Sequence, residues 1–285
     1  MSVGHYENFP VASLLLPAPL REPVEIIYRF ARSADDIADE GDDPADVRLR
    51  KLGVYREQLA APVDPLFHDV AKLIAQQGLP RQLFIDLLDA FSQDVTKKRY
   101  ENFSSVLDYC RRSANPVGRL LLHLFKRTTD SDLRRSDAIC TALQLINFWQ
   151  DVDIDYTNDR RVYLPQDEMA RFGVTERHLQ DKVCDEAWKN LLAFQTKRAR
   201  ELMLSGKDLG RSLPGRIGLE IRTTVQGGLR ILEKIERAGY DVFRRRPVLK
   251  AIHLYTAVAW AIVLLPVVFI VAALADDFGL TRRAA

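Results

Sequence analysis

The acidic residues of this sequence include two clusters in which side chains recur every four residues. The clusters comprise, in chain order, Asp35, Asp36 and Asp39, then Asn147, Asp151 and Asp155. On an α-helix this interval stacks side chains on one face, where like charges destabilise the helix unless a cation neutralises them. Two facing helices of this kind would offer oxygen ligands to Mg²⁺, with room for a phosphate group to share the metal. The spacing therefore predicts an enzyme that handles a diphosphate.

The surroundings of the second cluster favour a metal site over a solvated acidic surface. A lone acidic cluster at a helix end is more often exposed than functional. Here the second cluster is surrounded by the apolar residues Leu145, Ile146, Phe148 and Trp149, and carboxylates in such a setting are costly unless they are paired or bound to metal. Arg32, Arg160 and Arg161 could complete a phosphate site, because the arginine fork matches phosphate geometry.

Composition and the remaining motifs argue against several other classes of protein. A formal net charge of +2 on 285 residues is not that of a nucleic-acid binder. The 5 histidines show no HxxxH or HExxH spacing, so we expect no zinc site. No Gly-rich fingerprint indicates a nicotinamide cofactor, and no nucleophile motif supports Ser-His-Asp catalysis. The 3 scattered cysteines are typical of a reduced, cytoplasmic protein.

The elements that must position these residues are predicted to be helices. Apolar residues recur at helical intervals between turns rich in Gly, Pro and Asp, and no β alternation of useful length is present. We predict helices over residues 23–40, 47–59, 65–77, 80–95, 103–128 with a kink at Pro116, 132–155, 182–205, 215–238 and 246–275. Residues 156–165 are predicted to be a loop. The short connections favour a single all-α catalytic domain over residues 1–250.

The end of the chain is strongly apolar. From Ala251 to Ala275 there is no Lys, Arg, Asp or Glu, and a helix needs ~20 predominantly apolar residues to cross a bilayer. Basic residues just before this stretch, within residues 244–250, would keep the main domain on the cytoplasmic side. We therefore expect residues 251–285 to form an apolar helix that associates with the inner face of the membrane. A buried core helix kinked at Pro266 is the alternative.

Four segments of the sequence resemble the squalene and phytoene synthase family. Residues 28–39, YRFARSADDIAD, resemble its first aspartate-rich motif, and residues 144–165, QLINFWQDVDIDYTNDRRVYLP, resemble the second. The Tyr-Cys pair that begins at Tyr109 resembles the central YC…G segment, and residues 239–242, GYDV, resemble the motif of the C-terminal helix. The resemblance extends over roughly residues 5 to 250.

This resemblance implies a fold, a cofactor and a set of site residues. The family fold is a single-domain helical bundle of the isoprenoid synthase type, with three Mg²⁺ ions around the substrate diphosphate. The implied metal ligands are the residues of the two clusters, Asp35, Asp36, Asp39, Asn147, Asp151 and Asp155. The candidate substrate-binding residues are Tyr28, Arg32, Gln144, Arg160, Arg161, Tyr163 and Tyr240. The candidate catalytic residues are Asp35, Asp151 and Tyr109.

Departures from the family pattern bear on the substrate. Many members that condense two prenyl diphosphates carry Arg just before the first Asp of the second motif, where this chain has Gln150. Their N-terminal S-x-S-F element reads YENF here, at residues 6–9, and Arg111 and Arg112 replace small residues after the central YC. Loss of a phosphate-binding Arg and Ser suggests that one diphosphate is held. Within the family the chain is most similar to the bacterial hydroxysqualene synthases of the hopanoid route.

That similarity implies conversion of presqualene diphosphate to hydroxysqualene with release of diphosphate. A carbocation would form as the diphosphate leaves, and aromatic faces such as those of Tyr109, Phe148 or Trp149 would stabilise it. A water oriented or deprotonated by Tyr109 would then capture it. The alternatives are condensation of two farnesyl diphosphates to presqualene diphosphate or squalene and, in another class, a non-catalytic membrane adaptor. The enzyme that makes presqualene diphosphate is a candidate partner.

Overall fold

The computed structural model describes residues 17–39 and 41–248, and every regular element within them is a helix. The helices are α1 (Ala18–Asp39), α2 (Ala45–Ala60), α3 (Pro65–Gln77), α4 (Arg81–Thr96), α5 (Phe103–Ser113), α6 (Asn115–Leu124), α7 (Asp130–Gln150), α8 (Val152–Asp159), α9 (Gln166–Phe172), α10 (Glu176–Gln180), α11 (Glu186–Gly206), α12 (Leu209–Ser212) and α13 (Gly215–Arg237). These residues contain no strand, and one isolated bridge joins Arg99 to Val162. The all-α prediction is confirmed.

Local sequence accounts for where several helices begin and end. α3 begins at Pro65, whose fixed φ suits the first helical turn, and ends before Gly78, which adopts a left-handed φ of 66°. α5 begins with a capping box in which the Asn102 side chain accepts a hydrogen bond from the Ser105 backbone N–H. For α3, the predicted bounds at residues 65 and 77 are confirmed.

Two apolar cores hold the helices together, and they share α4 and α6. The first core joins α1, α2 and α3 to these shared helices and includes the fully buried rings of Phe30 and Phe84. The second core includes Trp149 of α7 and Trp188 of α11. Apolar burial contributes ~25 cal/mol per Å² and dominates the stability of such bundles. The first acidic cluster belongs to a helix of the first core and the second cluster to helices of the second, so core packing sets the distance between them.

The helix expected over residues 103–128 is two helices. The break falls at Ala114, whose φ and ψ are −113° and −48°, and Pro116 lies in the first turn of α6. Proline has no N–H for the helical ladder and its ring clashes with the preceding turn, so a helix begins at this residue more readily than it passes through it.

The helix expected over residues 132–155 is also interrupted. α7 ends at Gln150, Asp151 is the junction, and α8 continues to Asp159, inside the segment expected to be a loop. The short helices α9, α10 and α12 were not predicted, because their 7, 5 and 4 residues are too few to show a helical period. α1 begins at Ala18, ahead of the expected start at Pro23.

No helix within residues 17–39 and 41–248 is both long enough and apolar enough to cross a bilayer. The apolar stretch at residues 251–275 and the N-terminal element at residues 6–9 lie outside the described part of the chain. Of the helix expected over residues 246–275, only residues 246–248 are described, and they are not helical.

Candidate active site

The first acidic cluster lies along α1. Arg32 precedes it on the same helix, and its guanidinium pairs with Asp35 at 3.3 Å and with Asp36 at 2.7 Å. Asp39 follows Asp35 by one turn, and the half-buried Tyr28 precedes Arg32 by one turn. The helical period therefore brings an aromatic ring, a guanidinium and the carboxylates to one side of the helix.

The second cluster spans the junction of α7 and α8. Gln144 and Asn147 are half-buried on the last two turns of α7. Asp151, with φ and ψ of −108° and 12°, is the junction residue. Asp155 follows on α8, and its backbone N–H donates to the carbonyl oxygen of Asp151 at 2.9 Å. This hydrogen bond of helical type preserves the four-residue spacing across the break.

Arg161 joins the two clusters. Its backbone N–H donates to the carbonyl oxygen of Asp155 at 3.0 Å, and its Nη2 donates to Oδ1 of Asp39 at 3.0 Å. Its side chain is only 6% exposed. The residue before it, Arg160, ends α8 in the left-handed conformation with a φ of 54°, which turns the chain at this point. The charge of Arg161 acts on the carboxyl groups of both Asp35 and Asp155, and the charge of Asp39 acts on Asp155, so the two acidic clusters face one site and do not lie on opposite sides of the molecule.

Burial and crowding of like charges raise the pKa values of two carboxyl groups in the site. Partial burial, followed by the charge of Asp39, raises the pKa of Asp35 to about 6. Burial, followed by the charge of Asp151, raises the pKa of Asp155 to about 8, and the charge of Asp39 across the site adds to this effect. An acidic site with these properties attracts cations.

A further acidic residue, Asp94 of α4, lies beside Arg161. Asp94 is 4% exposed. It accepts a hydrogen bond from Tyr109 Oη at 2.6 Å and a longer one from Tyr163 Oη at 3.5 Å. Its Oδ1 lies 4.0 Å from Arg161 Nε. Burial raises the pKa of Asp94 to about 7, although the charge of Arg161 opposes the shift.

Asp94 is not among the residues predicted from the sequence, although its position carries a signal. It follows Leu87 by seven residues and Ala90 by four, so it continues the buried apolar face of α4. An acidic residue on such a face requires hydrogen-bonding or charged partners. An acidic residue at such a position therefore indicates a candidate site as an acidic motif does.

Aromatic rings pack together next to these groups. Tyr163 stacks on Phe148 with ring centroids 3.6 Å apart and planes 8° from parallel. Tyr109 lies 5.6 Å from Tyr163 and 5.7 Å from Tyr100, and Trp149 meets Phe148 at 6.3 Å. The faces of such rings attract cations. An aromatic surface therefore adjoins the acidic one.

The segment after α13 lies against the second cluster. Arg246 forms a two-point ion pair with Asp151, with Nε 2.5 Å from Oδ1 and Nη2 3.1 Å from Oδ2. Gln150 Nε2 donates to the carbonyl oxygen of Pro247. Asp151 is therefore neutralised by an arginine, and Gln150 is bonded to the backbone of the C-terminal segment.

The structure does not bring two of the predicted residues to the acidic groups. Arg160 is exposed, and its guanidinium lies over the ring of Tyr156 at 4.9 Å. Tyr240 is half-buried at the end of α13, where partial burial and then the charge of Glu236 raise its pKa. Both residues have a positive φ, of 54° and 62°, so a turn of the backbone separates each from the helix that precedes it.

The donor atoms of the site suit Mg²⁺, although they do not form a complete metal cluster. Across the described ranges, no three His, Cys, Asp or Glu side chains converge as a ready-made metal site. Mg²⁺ is usually held by one or two carboxylates together with substrate phosphate oxygens. Arg32 and Arg246 already act as counter-cations to the two clusters. The carboxylate and amide oxygens present are nevertheless of the type that Mg²⁺ takes when it is shared with a phosphate.

The chain is similar to known proteins over most of its length. The model of a family described as squalene/phytoene synthase matches residues 3–253. A hydroxysqualene synthase from Rhodopseudomonas palustris is 34% identical over 251 residues, which cover 87% of this chain and 83% of that protein. The crystal structure of squalene synthase HpnC from Alicyclobacillus acidocaldarius has a TM-score of 0.76 at 35% identity, covering 83% of this chain and 90% of that one. A dehydrosqualene synthase crystallised with a ligand shares the fold, with a TM-score of 0.76 at 22% identity over 88% of this chain and 89% of that one.

Proposed function

Because the chain belongs to the squalene/phytoene synthase family, we propose that it converts presqualene diphosphate to hydroxysqualene and releases diphosphate. Family membership establishes the coarser function, an enzyme that acts on an isoprenoid diphosphate. The observation that carries the proposal is the approach of both clusters to Arg161 beside an aromatic surface: its guanidinium pairs with Asp39, and its charge acts on the Asp155 carboxyl. The 34% identical relative from Rhodopseudomonas palustris is named hydroxysqualene synthase, which supports the product.

Mg²⁺ is the proposed cofactor. When bound, it would neutralise charge on the departing diphosphate. The proposed ligands are the residues of the two clusters, Asp35, Asp36, Asp39, Asn147, Asp151 and Asp155. The raised pKa of Asp155 supports this assignment, because a nearby cation would favour the ionised carboxylate that burial and, after it, the charge of Asp151 now disfavour.

The arginines of the site would bind and orient the diphosphate. Arg32 and Arg161 each present a guanidinium at the first cluster, and arginine pairs with phosphate oxygens through two parallel hydrogen bonds. Arg246 has a different role, because it neutralises Asp151 and so competes with a metal ion for that carboxylate.

The aromatic rings would hold the hydrocarbon and the cation that forms when the diphosphate leaves. Phe148 and Tyr163 are 4% and 7% exposed, so this part of the site is largely shielded from water. A ring face within ~6 Å of a cation stabilises it by roughly 0.5–2 kcal/mol, and more when both are desolvated. Tyr109, also in this group of rings, remains the candidate for orienting the attacking water.

The environment of Gln150 supports a site for one diphosphate. This side chain is 1% exposed and donates to the Pro247 carbonyl oxygen, so it faces the C-terminal segment. A glutamine also lacks the positive charge that an arginine would offer to a second diphosphate. These features favour presqualene diphosphate over two farnesyl diphosphates as the substrate.

Incubation of the purified chain with Mg²⁺ and either substrate tests the proposal. We expect hydroxysqualene from presqualene diphosphate and no turnover of farnesyl diphosphate alone. Turnover of farnesyl diphosphate alone would instead establish the condensing activity. Asp35→Ala combined with Asp151→Ala should abolish product, whereas Asp108→Asn, an exposed acid paired with Arg111, should not. Undiminished flux through a reconstituted pathway with the double variant would favour a non-catalytic adaptor.

Location and partners are proposed on the sequence alone. The uncharged stretch from Ala251 to Ala275, preceded by arginines, supports association with the cytoplasmic face of a membrane. An apolar substrate made by a preceding synthase would reach the chain most directly at that surface. Residues 1–250 remain the proposed catalytic domain.

A further inference from the structure

The hydrogen bond between Asp94 and Tyr109 has a defined direction. Tyr109 Oη lies 2.6 Å from Asp94 Oδ2, and when Asp94 is ionised its carboxylate can only accept, so in that state the phenolic hydrogen points at Asp94. The oxygen of Tyr109 is then left with lone pairs that can accept a hydrogen bond from another group. Tyr109 also lies 6.0 Å from Phe148 and 5.6 Å from Tyr163, in the aromatic surface where the carbocation would form.

We propose that Asp94 is the final proton acceptor for the water that captures the carbocation, and that Tyr109 relays the proton to it. This inference rests on the proposed hydroxysqualene function. An electron pair of the water oxygen forms the new C–O bond, after the diphosphate has left with the electron pair of its own C–O bond. One water proton passes to Tyr109 Oη while the phenolic proton passes to Asp94 Oδ2. The positive charge on carbon and the negative charge on Asp94 are thereby both removed.

The environment of the pair favours Asp94 over Tyr109 as the base. Burial, followed by the charge of Asp94, raises the pKa of Tyr109 well above its usual range, so the phenol stays protonated. Burial raises the pKa of Asp94 to about 7, and a general base is most effective when its pKa lies near the pH at which the reaction runs. Arg161 holds α4 at this point, because its Nη2 donates to the carbonyl oxygen of Asp94 at 3.1 Å.

A purely structural role for Asp94 predicts a different outcome. A structural carboxylate would affect folding and overall rate, but it would not decide what becomes of the carbocation. The relay does determine the fate of the carbocation. A cation that is not captured by the positioned water either loses a proton to give an alkene or is captured at another carbon. The ratio of products therefore separates the two roles independently of how much enzyme is folded.

Asp94→Asn tests the relay because it keeps the size of the side chain and an oxygen for Tyr109, but cannot take a proton. With presqualene diphosphate and Mg²⁺, we expect diphosphate release to persist while the fraction of hydroxysqualene falls ~10²-fold in favour of alkenes and other alcohols. Tyr109→Phe breaks the relay at its other end and should shift the products in the same direction. The double variant should be no worse than the worse single variant, since both act on one step.

Glu168→Gln is the matched control. Glu168 is also a buried carboxylate, but it accepts hydrogen bonds from Gln195 and Arg198, away from the acidic clusters. Its product ratio should equal that of the wild type. An unchanged ratio in both Asp94→Asn and Tyr109→Phe, with a wild type that makes hydroxysqualene, would overturn the relay alone. A wild type that makes no hydroxysqualene would overturn the proposed function and the relay together.

Discussion

The carboxyl group of Asp94 titrates at a different pH in the folded and unfolded chain. Burial raises its pKa in the folded protein to about 7, whereas an unfolded Asp titrates near ~3.9. Between these values the folded protein holds a proton that the unfolded chain has released. Stability therefore falls as the pH rises through this window, and the cost of the buried charge is complete above it.

Asp94→Asn cannot titrate and should lose this pH dependence. Each pKa unit corresponds to ~1.4 kcal/mol. We therefore expect the difference in unfolding free energy, variant minus wild type, to be ~1–3 kcal/mol larger at about pH 8 than at about pH 5. Urea denaturation at the two pH values measures the difference. Asp181→Asn, which removes an exposed partner of Arg177, should follow the wild type. Parallel behaviour of Asp94→Asn and wild type would contradict the raised pKa.

Residue spacing alone could not distinguish the neighbouring arginines of the second motif. Arg161 is buried between Asp39 and Asp94, whereas Arg160 is exposed. The difference arises from the left-handed turn at Arg160, which is set by the end of α8 and is not visible as a motif. The resemblance assigns Tyr240 to the site, and in the structure the charges of Glu236 and Arg200 act on its hydroxyl group.

At the scale of the helices, α7 and α11 approach closely at a glycine. A Cβ on Gly206 would lie 2.5 Å from the backbone carbonyl oxygen of Arg135 and 2.7 Å from Cγ1 of Ile139. Backbone atoms cannot rotate away as the end of a side chain can, so the helices would have to separate. Because α7 carries Asn147 and leads into Asp151, this contact helps to position the second cluster.

Gly206→Ala should destabilise the protein by ~1–3 kcal/mol, the usual cost of inserting a methyl group into packed helices. Gly53→Ala is the matched control, because nothing lies within 4 Å of its added Cβ in α2. That substitution should be stabilising by ~0.5–1 kcal/mol, since alanine is the better helix former. Denaturant unfolding of the two variants measures both effects. Equal stabilities would show that α7 and α11 tolerate a wider separation.

Long amphipathic helices were predictable from the sequence, whereas the exact positions of their interruptions were not. α3 matches its prediction and α13 ends one residue from it, because each has clear punctuation by Pro or Gly at its start or end. The kink predicted at Pro116 is a complete break two residues earlier, at Ala114, and the break at Asp151 falls inside a continuous helical pattern. At Asp151 the junction is accompanied by a tertiary ion pair to Arg246, which a local pattern cannot reveal.

For the whole molecule, the site lies where the two apolar cores meet. Asp39 lies on α1, a helix of the first core, and Asp155 lies on α8, a helix of the second. Arg161 contacts both, through its side chain and its backbone respectively. A ligand bound by both clusters would therefore tie the two cores together and stabilise the entire fold, rather than one helix.

Mg²⁺ together with inorganic diphosphate should raise the thermal unfolding temperature by several degrees, since a ligand at ~100 times its Kd adds ~2.7 kcal/mol of stability. Either component alone should give less, because diphosphate is repelled by the carboxylates and Mg²⁺ lacks its phosphate ligands. Asp39 and Asp155 belong to helices of different cores, yet Asp39→Asn and Asp155→Asn should each reduce the shift. Asp108→Asn should retain it. Chelation of Mg²⁺ should return the wild type to its unliganded value. A shift that survives in one of the two site variants would mean that a single cluster binds the ion, and the proposal that both cores share it would be wrong.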